Sequence, residues 1–536
     1  MKKADANMSV TDVPRAMVSH PLLALGLSIT ILLSYLLRVR FRSYLRLIPG
    51  PFFASFSYFP RLISVAHGHA HFDAINLHRE YGNVVRVGPN HVSFDNSEAL
   101  SIVYSAYTKF EKSDFYLPFD AKTAHGFVPT VFSVRSEHAH RGIKRPIAGA
   151  YSMTTLLELE GLTDECIAIF QDKIEDKLKE SERENIEMDL GQWLHWYAFD
   201  LITSITFSNR LGFMQSEGDV EGIIAAIEGR LKYNATIGQW PVLHKILLGN
   251  NFVSWVANSV PSIAKLNTAR KIVEFAARQL KRYEAKDREK LDYQDMLDRF
   301  KRTKSDGELQ MSDVEVLMAA TGNIFAGSDT TAISLRSMFY YLVKNPTCLK
   351  RLIEEIDDMD RAGKLSEIVS FAESSDMPYM QACLKEAMRM HPAVGLLLER
   401  IVPEGGVDIC GYFIPAGTVI GANPWVVARD RDVYGEDADQ FRPERWLGLL
   451  EQTRVDDGTG ELARTKLKRM ERNYLAFGMG SRSCMGKNIS LLEMNKLVPQ
   501  LLRRYKVELV DPVKEWRMED YWFVKQLGLN CKISKR

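Results

Sequence analysis

Apolar positions along the chain recur in two periods. Residues 155–185, 265–300 and 311–360 repeat them at the helical spacing, and a further apolar helical stretch runs from Ile489 to Leu502. These segments predict amphipathic or buried helices. A two-residue period appears at Tyr81–Pro89 and His91–Phe94, with Gly88-Pro89 at the turn, and partner strands are expected near Gly411–Pro415 and Thr418–Ile420. The fold class that follows is mainly α with minor β. No Pro/Gly/Ser-rich linker, internal repeat or low-complexity tract interrupts the pattern, so residues 53–536 read as one large domain.

The N-terminal part has a different pattern. Pro21 to Leu37 carries no charge and is about 17 residues long, the short end for a membrane span, with Val18 and Val39 able to extend it. A cleaved signal peptide is the alternative, but no small-x-small cleavage site follows; Arg38, Arg40, Arg42 and Arg46 do, as in a stop-transfer flank. Set against Lys2, Lys3 and Arg15, these arginines place the C-terminal side in the cytosol. The expected organisation is a lumenal N-terminus at 1–17, a transmembrane anchor at 18–39, and a basic, proline-rich hinge at 40–52 containing Ile48-Pro49-Gly50-Pro51. Of the glycosylation patterns at Asn7, Asn234 and Asn488, only Asn7 would be lumenal.

Composition narrows the function. The 536 residues carry a formal net charge of +1, which gives no reason to expect a nucleic-acid partner. The six cysteines are scattered without paired spacing, against both a disulfide framework and a zinc site. One of them, Cys484, lies in the glycine-punctuated loop Phe477-Gly-Met-Gly480-Ser-Arg482-Ser-Cys484-Met-Gly486, at the mouth of a helix. Gly480 and Gly486 allow close backbone approach. The helix N-terminus, Arg482 and Lys487 are expected to favour the thiolate, the form that ligates a metal or acts as a nucleophile. A buried structural cysteine is the plainer alternative.

The pattern F-x-x-G-x-R-x-C-x-G resembles the haem-binding signature of the cytochrome P-450 superfamily. Three further segments resemble that family in order and spacing: Ala326-Gly-Ser-Asp329-Thr330-Thr331 within a helical pattern from about Ser312 to Val343, Lys385-Glu386-Ala-Met-Arg389-Met-His391-Pro392, and Phe441-Arg-Pro-Glu444-Arg445-Trp446. The resemblance implies a haem-thiolate fold with haem b as cofactor and Cys484 as the axial iron ligand, Phe477, Arg482 and Gly486 lining the haem, and Glu386, Arg389 and Arg445 supporting the pocket as a buried triad. Thr330 would hydrogen-bond dioxygen at the haem and Asp329 would relay protons to it, on a helix locally weakened at that point. Arg400 and Arg482 match family positions for the propionates. His138-Ala-His140-Arg-Gly-Ile-Lys144 departs from the family's W-x-x-x-R, with His140 in place of Trp and Lys144 in place of Arg, so a point charge replaces a bidentate partner.

The activity the resemblance implies is insertion of one oxygen atom from O2 into an apolar small molecule. Electrons would come from NADPH through a separate reductase, with cytochrome b5 as a further donor, because the chain has no glycine-rich dinucleotide fingerprint. Arg464, Lys466, Lys468, Arg469 and Arg472 are a candidate docking face for that acidic partner. Lys109-Phe-Glu-Lys112-Ser-Asp114-Phe-Tyr116, Ala150-Tyr-Ser-Met153 and Trp196-Tyr-Ala-Phe-Asp200 resemble fungal membrane-bound enzymes of the pisatin demethylase type, which implies secondary-metabolite oxidation at the endoplasmic reticulum membrane. Phe115–Phe132, Phe213–Phe252, Ala319–Ala326, Val394–Leu398 and Trp522–Val524 are expected to line the substrate space, which suits a terpenoid, alkaloid or aromatic polyketide. A haem-thiolate isomerase or dehydratase that needs no reductase, and a non-catalytic haem sensor or carrier, are the alternatives.

Overall fold

The computed structural model describes residues 21–41, 44–123, 126–181, 184–285, 294–302, 311–452 and 458–536. Its principal helices are α1 (Pro21–Arg40), α2 (Ala70–Tyr81), α3 (Glu137–Lys144), α4 (Glu160–Glu180), α5 (Leu190–Phe207), α6 (Ile223–Gly238), α7 (Ala269–Glu284), α8 (Asp313–Lys344), α9 (Pro346–Arg361), α10 (Pro378–Met390), α11 (Gly458–Arg472) and α12 (Lys487–Arg504). The strands used below are β1 (Val84–Gly88), β2 (His91–Phe94), β3 (Asn185–Asp189), β4 (Arg400–Ile401), β5 (Val407–Ile409), β6 (Tyr412–Ile414), β7 (Val419–Gly421), β8 (Tyr505–Leu509), β9 (Arg517–Tyr521), β10 (Phe523–Leu527) and β11 (Asn530–Lys535). The fold is mainly helical with minor sheet.

The central helix α8 starts where its sequence dictates. Ser312 Oγ accepts from the Glu315 amide and Glu315 Oε2 accepts from the Ser312 amide, a reciprocal cap that satisfies two otherwise orphaned donors. Pro346 lacks an amide hydrogen and disfavours helical geometry at Asn345, so the apolar period at 311–360 divides into α8 and α9 rather than one helix. Across from α8 lies α5, buried on almost every face, as its all-round apolar sequence requires. The two approach closely because Gly327 has no side chain: a Cβ there would sit 2.8 Å from Ile202 Cδ1. α12 packs on the other side, with Ser490 Oγ and Thr331 Oγ1 2.8 Å apart.

The main sheet has the order β1-β2-β7-β4, with β2 and β7 parallel. Thr418–Ile420 therefore joins the first two strands as the pattern predicts. Tyr412–Ile414 does not: it pairs with β5 in a separate hairpin. The reason is local, since Cys410 and Gly411 both take positive φ (50° and 81°), the tight hairpin turn that matches strand twist. A second sheet has the order β8-β11-β3, and β9 and β10 form a hairpin.

Arg86 on β1 joins the hinge to the body. Its guanidinium donates to the Val39, Arg40 and Pro89 carbonyls at 3.0, 3.1 and 2.8 Å, and its amide donates to the Pro49 carbonyl at 2.7 Å. Gly50 makes that approach possible, because a Cβ there would lie 2.3 Å from the Arg86 carbonyl oxygen. The apolar N-terminal run forms α1, with Leu23, Leu25, Ile29, Ile31, Leu33 and Leu37 exposed. Among the described residues no helix is long and apolar enough to cross a membrane; Val18 to His20, at the start of the expected span, and the segment 1–17 with Asn7 lie outside them.

Candidate active site

The cysteine loop is held by its backbone. The Cys484 amide donates to the Phe477 carbonyl at 2.8 Å, Gly478 and Gly480 take φ of 66° and 64°, and a Cβ on Gly480 would fall 1.9 Å from the Tyr104 carbonyl oxygen. Gly486 departs from expectation. It has an ordinary φ of −76°, and a Cβ there would meet Cys484 Sγ only at 3.9 Å, an ordinary contact, so neither conformation nor close approach requires glycine at this position. Cys484 is surrounded by protein, yet its side chain is accessible. Burial pushes the thiol up, contrary to the expected direction; the Gly486 and Lys487 amides, Lys144 and Lys487 pull it back without overcoming burial. Such a thiol becomes a thiolate when a metal ion supplies the missing positive charge.

α8 runs unbroken past Ala326-Gly-Ser-Asp-Thr-Thr, so the expected local weakening is absent. The polar side chains bond within the helix instead: Thr330 Oγ1 donates to the Ala326 carbonyl at 2.7 Å and Ser328 Oγ to the Ile324 carbonyl at 3.1 Å. Gly322, Ala326 and Thr330, one turn apart, form an accessible stripe on a helix otherwise largely buried. Asp329 points elsewhere. Its Oδ1 lies 2.5 Å from His195 Nε2 on α5. Burial works to raise the Asp329 pKa, but His195, with Lys525 and Arg336 beyond it, outweighs burial and holds the carboxyl below its ordinary range.

Beside the cysteine loop, cations crowd together. Arg482 donates to Glu137 Oε1 at 2.5 Å and to the Val134 and Arg135 carbonyls at 2.7 and 2.9 Å. Arg400 donates to its neighbour's carbonyl at 2.8 Å and meets the Tyr116 hydroxyl, but its buried Nε has no partner. Lys112 is buried, with Nζ 2.5 Å from the Phe132 carbonyl oxygen and 4.0 and 4.2 Å from the Tyr116 and Phe132 ring centres. Burial, then Arg400 and Arg482, push its pKa well down. His140 is lowered to about 3, first by burial and then by Arg482, and its buried Nδ1 has no partner. Lys144 donates to the Ser481 carbonyl at 3.0 Å, within the cysteine loop. Glu399 offers this cluster little compensation, because it is held by Arg61 at 2.5 Å and by Ser113 Oγ at 2.5 Å. A surplus of buried cations with an orphaned guanidinium N–H beside an accessible cysteine is the donor set a haem with two propionates needs, so the residues present fit that group.

Behind the loop, Glu386 accepts from Arg389 Nε and Nη2 at 2.9 and 2.8 Å, from Arg445 Nε at 2.8 Å, from Trp446 Nε1 at 2.9 Å and from the Arg442 amide at 3.0 Å. Arg389 spends its other donors on the Ala428 and Ala438 carbonyls at 2.6 and 2.7 Å. Glu386 and Arg389, an ordinary surface pair by spacing alone, are fully buried, and Glu386 is the counter-ion that Arg389 and Arg445 share.

The segments expected to line the substrate space divide. Phe115, Tyr116, Phe119 and Phe132 all pack around Trp522, with ring centres 5.4 to 5.9 Å from it. Trp522 has φ of 83° at the β9–β10 turn, a conformation that costs a non-glycine residue energy and is held by this packing. Val394 bridges to Phe523 alongside. The segment from Phe213 to Phe252 does not line one space: Phe213 is buried against Phe199 and Phe252 is exposed with Trp255. Its apolar ends serve the core and an outer surface. Asn234 is buried and Asn488 donates to the Tyr151 carbonyl at 2.9 Å, as expected of sequons that carry no glycan.

Sequence reasoning missed Lys112 as part of the cation cluster, although it lies in a quoted motif, and missed His195, Glu137 and Glu399 entirely. An ammonium flanked by Tyr116 and Phe132 has no signature in local spacing, and His195 sits in an apolar helix where a histidine reads as core.

A family model described as Cytochrome P450 matches residues 49–530. Among its relatives, "Cytochrome P450 monooxygenase cicH" of Emericella nidulans is 40% identical over 506 residues, covering 94% of this chain and 96% of its own length. A "Cytochrome P450 monooxygenase" of Aspergillus terreus is 38% identical over 468 residues, 87% and 91% of the two chains. "Cytochrome P450 monooxygenase gsfF" of Penicillium aethiopicum is 35% identical over 511 residues, 94% and 96% of the two chains.

Proposed function

We propose, from the premise that this chain belongs to the cytochrome P450 family, that Cys484 would supply the thiolate that holds its haem iron and that Asp329 and Thr330 would serve the reacting space along α8. The protein is a cytochrome P450 monooxygenase. Haem b, when bound, supplies the reductive activation of O2 that inserts one oxygen atom into substrate and releases the other as water. The chain's own residues do the rest. Gly486 and Lys487 amides direct donors at the sulfur, and Lys112, Arg400 and Arg482, with Lys144 and an uncharged His140 beside them, would hold the propionates. Thr330 turns its hydroxyl between the Ala326 carbonyl and the reacting space, and Asp329 carries protons to it. Glu386, Arg389 and Arg445 keep the cysteine loop's backing rigid. The observation that carries this reading is the accessible, amide-lined Cys484 set beside buried cations in excess of their anions.

The substrate class we propose is an apolar small molecule of fungal secondary metabolism, such as a terpenoid, alkaloid or aromatic polyketide, handled by an enzyme of the pisatin demethylase-like group. The aromatic cluster about Trp522 and its fungal monooxygenase relatives support this. We place the protein on the endoplasmic reticulum membrane, anchored by α1 with its domain in the cytosol. In support, Phe41, Tyr44, Leu47, Phe52 and Phe53 near α1 are exposed, as are Phe252 and Trp255, and such apolar surface suits a lipid face. NADPH is expected to reach the site as electrons through a flavoprotein reductase, docking on α11, where Lys466, Lys468, Arg469 and Arg472 are exposed.

The test is consumption of NADPH and O2 by the full-length protein with a reconstituted reductase and apolar substrates. Substrate-dependent consumption with an oxygenated product supports the reading; product formed without NADPH would make the protein an isomerase or dehydratase.

A further inference from the structure

Asp329 is held by a residue on another helix. His195 on α5 places Nε2 2.5 Å from Asp329 Oδ1, and its ring is fixed by Phe199, 5.1 Å away between centres. Its Nδ1 is buried without a partner. That asymmetry assigns the tautomer: an orphaned lone pair costs less than an orphaned N–H, so the proton sits on Nε2 and is donated to the carboxylate. Burial lowers the His195 pKa more than Asp329 raises it, in keeping with a neutral ring. The groups facing the pair are Arg336 on α8, whose Nε donates to the Gly191 carbonyl at 2.8 Å, and Lys525 on β10, which is paired with Glu228 on α6. Asp189, at the start of α5, faces Arg336. A neutral imidazole gives Asp329 one donor, whereas a guanidinium would grip both oxygens.

We propose that His195 is a positioning residue for the reaction, holding Asp329 toward α5 through a single Nε2–H···Oδ1 bond and releasing it toward Thr330 in turnover. The inference rests on the assignment of Asp329 as the proton carrier. Replacing the imidazole with a group that cannot donate leaves Asp329 buried without its partner, so its proton affinity rises and its orientation is lost.

The test uses full-length, haem-loaded protein. In the reduced, carbon monoxide-bound form, 15N-histidine NMR should find one buried imidazole protonated on Nε2 whose signal moves in Asp329→Asn. In turnover, His195→Phe should lower product per NADPH at least fivefold and raise hydrogen peroxide, while His195→Gln, whose amide can still donate, should recover at least half of the coupling. An Nδ1–H tautomer, or a His195 signal indifferent to Asp329→Asn, overturns the proposal whether or not the Phe variant folds. Normal coupling in a haem-loaded His195→Phe beside a defective Asp329→Asn also overturns it, and leaves the role of Asp329 standing. Normal coupling in Asp329→Asn would instead remove the assignment on which both rest.

Discussion

Glu386→Gln removes one charge and almost no volume from the middle of the triad, so its effect isolates electrostatics. In the native protein Glu386 accepts five donors between 2.8 and 3.0 Å and is fully buried. The glutamine amide presents an N–H₂ to donors where an oxygen stood, and it leaves two buried guanidiniums without their shared counter-ion. Breaking a buried pair by removing one partner costs about 3–5 kcal/mol. Arg445 keeps a contact with Asp437 at 3.2 Å and Arg389 keeps its carbonyls, which places the expected loss at the lower end, about 3 kcal/mol. Against a total stability of about 5–15 kcal/mol, that is a large share. The assay is denaturant unfolding at neutral pH, with haem retention measured in parallel. Burial works to raise the Glu386 pKa, but Arg389 and Arg445 outweigh it and hold it below the ordinary 4.5. The triad's contribution is therefore present above that value and is lost as pH falls below it through the folded-state pKa, so variant and wild type should converge in acid. A Glu386→Gln protein within 1 kcal/mol of wild type at neutral pH would refute the reasoning.

Other expectations follow from the same geometry. Burial tends to raise Glu399, but Arg61, His91 and Ser113 bring it to about 2, so about 3 kcal/mol of stability should be present above pH 4.5 and lost as pH falls toward 2; Glu399→Gln should flatten that acid limb in pH-dependent unfolding. Lys112→Met should weaken haem retention about tenfold, measured by transfer to apomyoglobin, while leaving apoprotein unfolding unchanged or slightly improved, because an isolated buried ammonium is costly. Thr330→Ala should keep haem but divert electrons to hydrogen peroxide, lowering product per NADPH; normal coupling across several substrates would remove Thr330 from its role. Neutralising Lys466, Lys468 and Arg469 together should slow reductase-supported turnover and reduce its salt dependence, and unchanged kinetics would remove α11 as the docking face.

Most of the scaffold was legible because it is encoded locally. The helical pattern from about Ser312 to Val343 located the central helix, and the cysteine loop's glycine at position 480 acts within a turn of itself, whereas the Ser312 cap and the Pro346 break emerged with the structure. The direction of the Cys484 pKa was not legible, since cations near in sequence suggest a lowered value and burial by distant helices raises it. Strand pairing failed at Tyr412–Ile414 for the opposite reason: the Cys410-Gly411 turn satisfies it locally, and apolar alternation alone does not distinguish a hairpin from an edge of the main sheet. Lys112 and His195 meet partners that lie far away in sequence, the first Arg400 and Arg482 and the second Asp329, and only the fold brings these together.

The central claim is that Cys484 supplies a thiolate to haem iron. The carbon monoxide difference spectrum of the reduced, full-length protein tests it most directly, with Cys484→Ser as the comparison. The account predicts the strongly red-shifted Soret band of a ferrous thiolate-bound haem in the wild type and its loss in the variant. Folded, haem-loaded wild-type protein without that band would contradict the account.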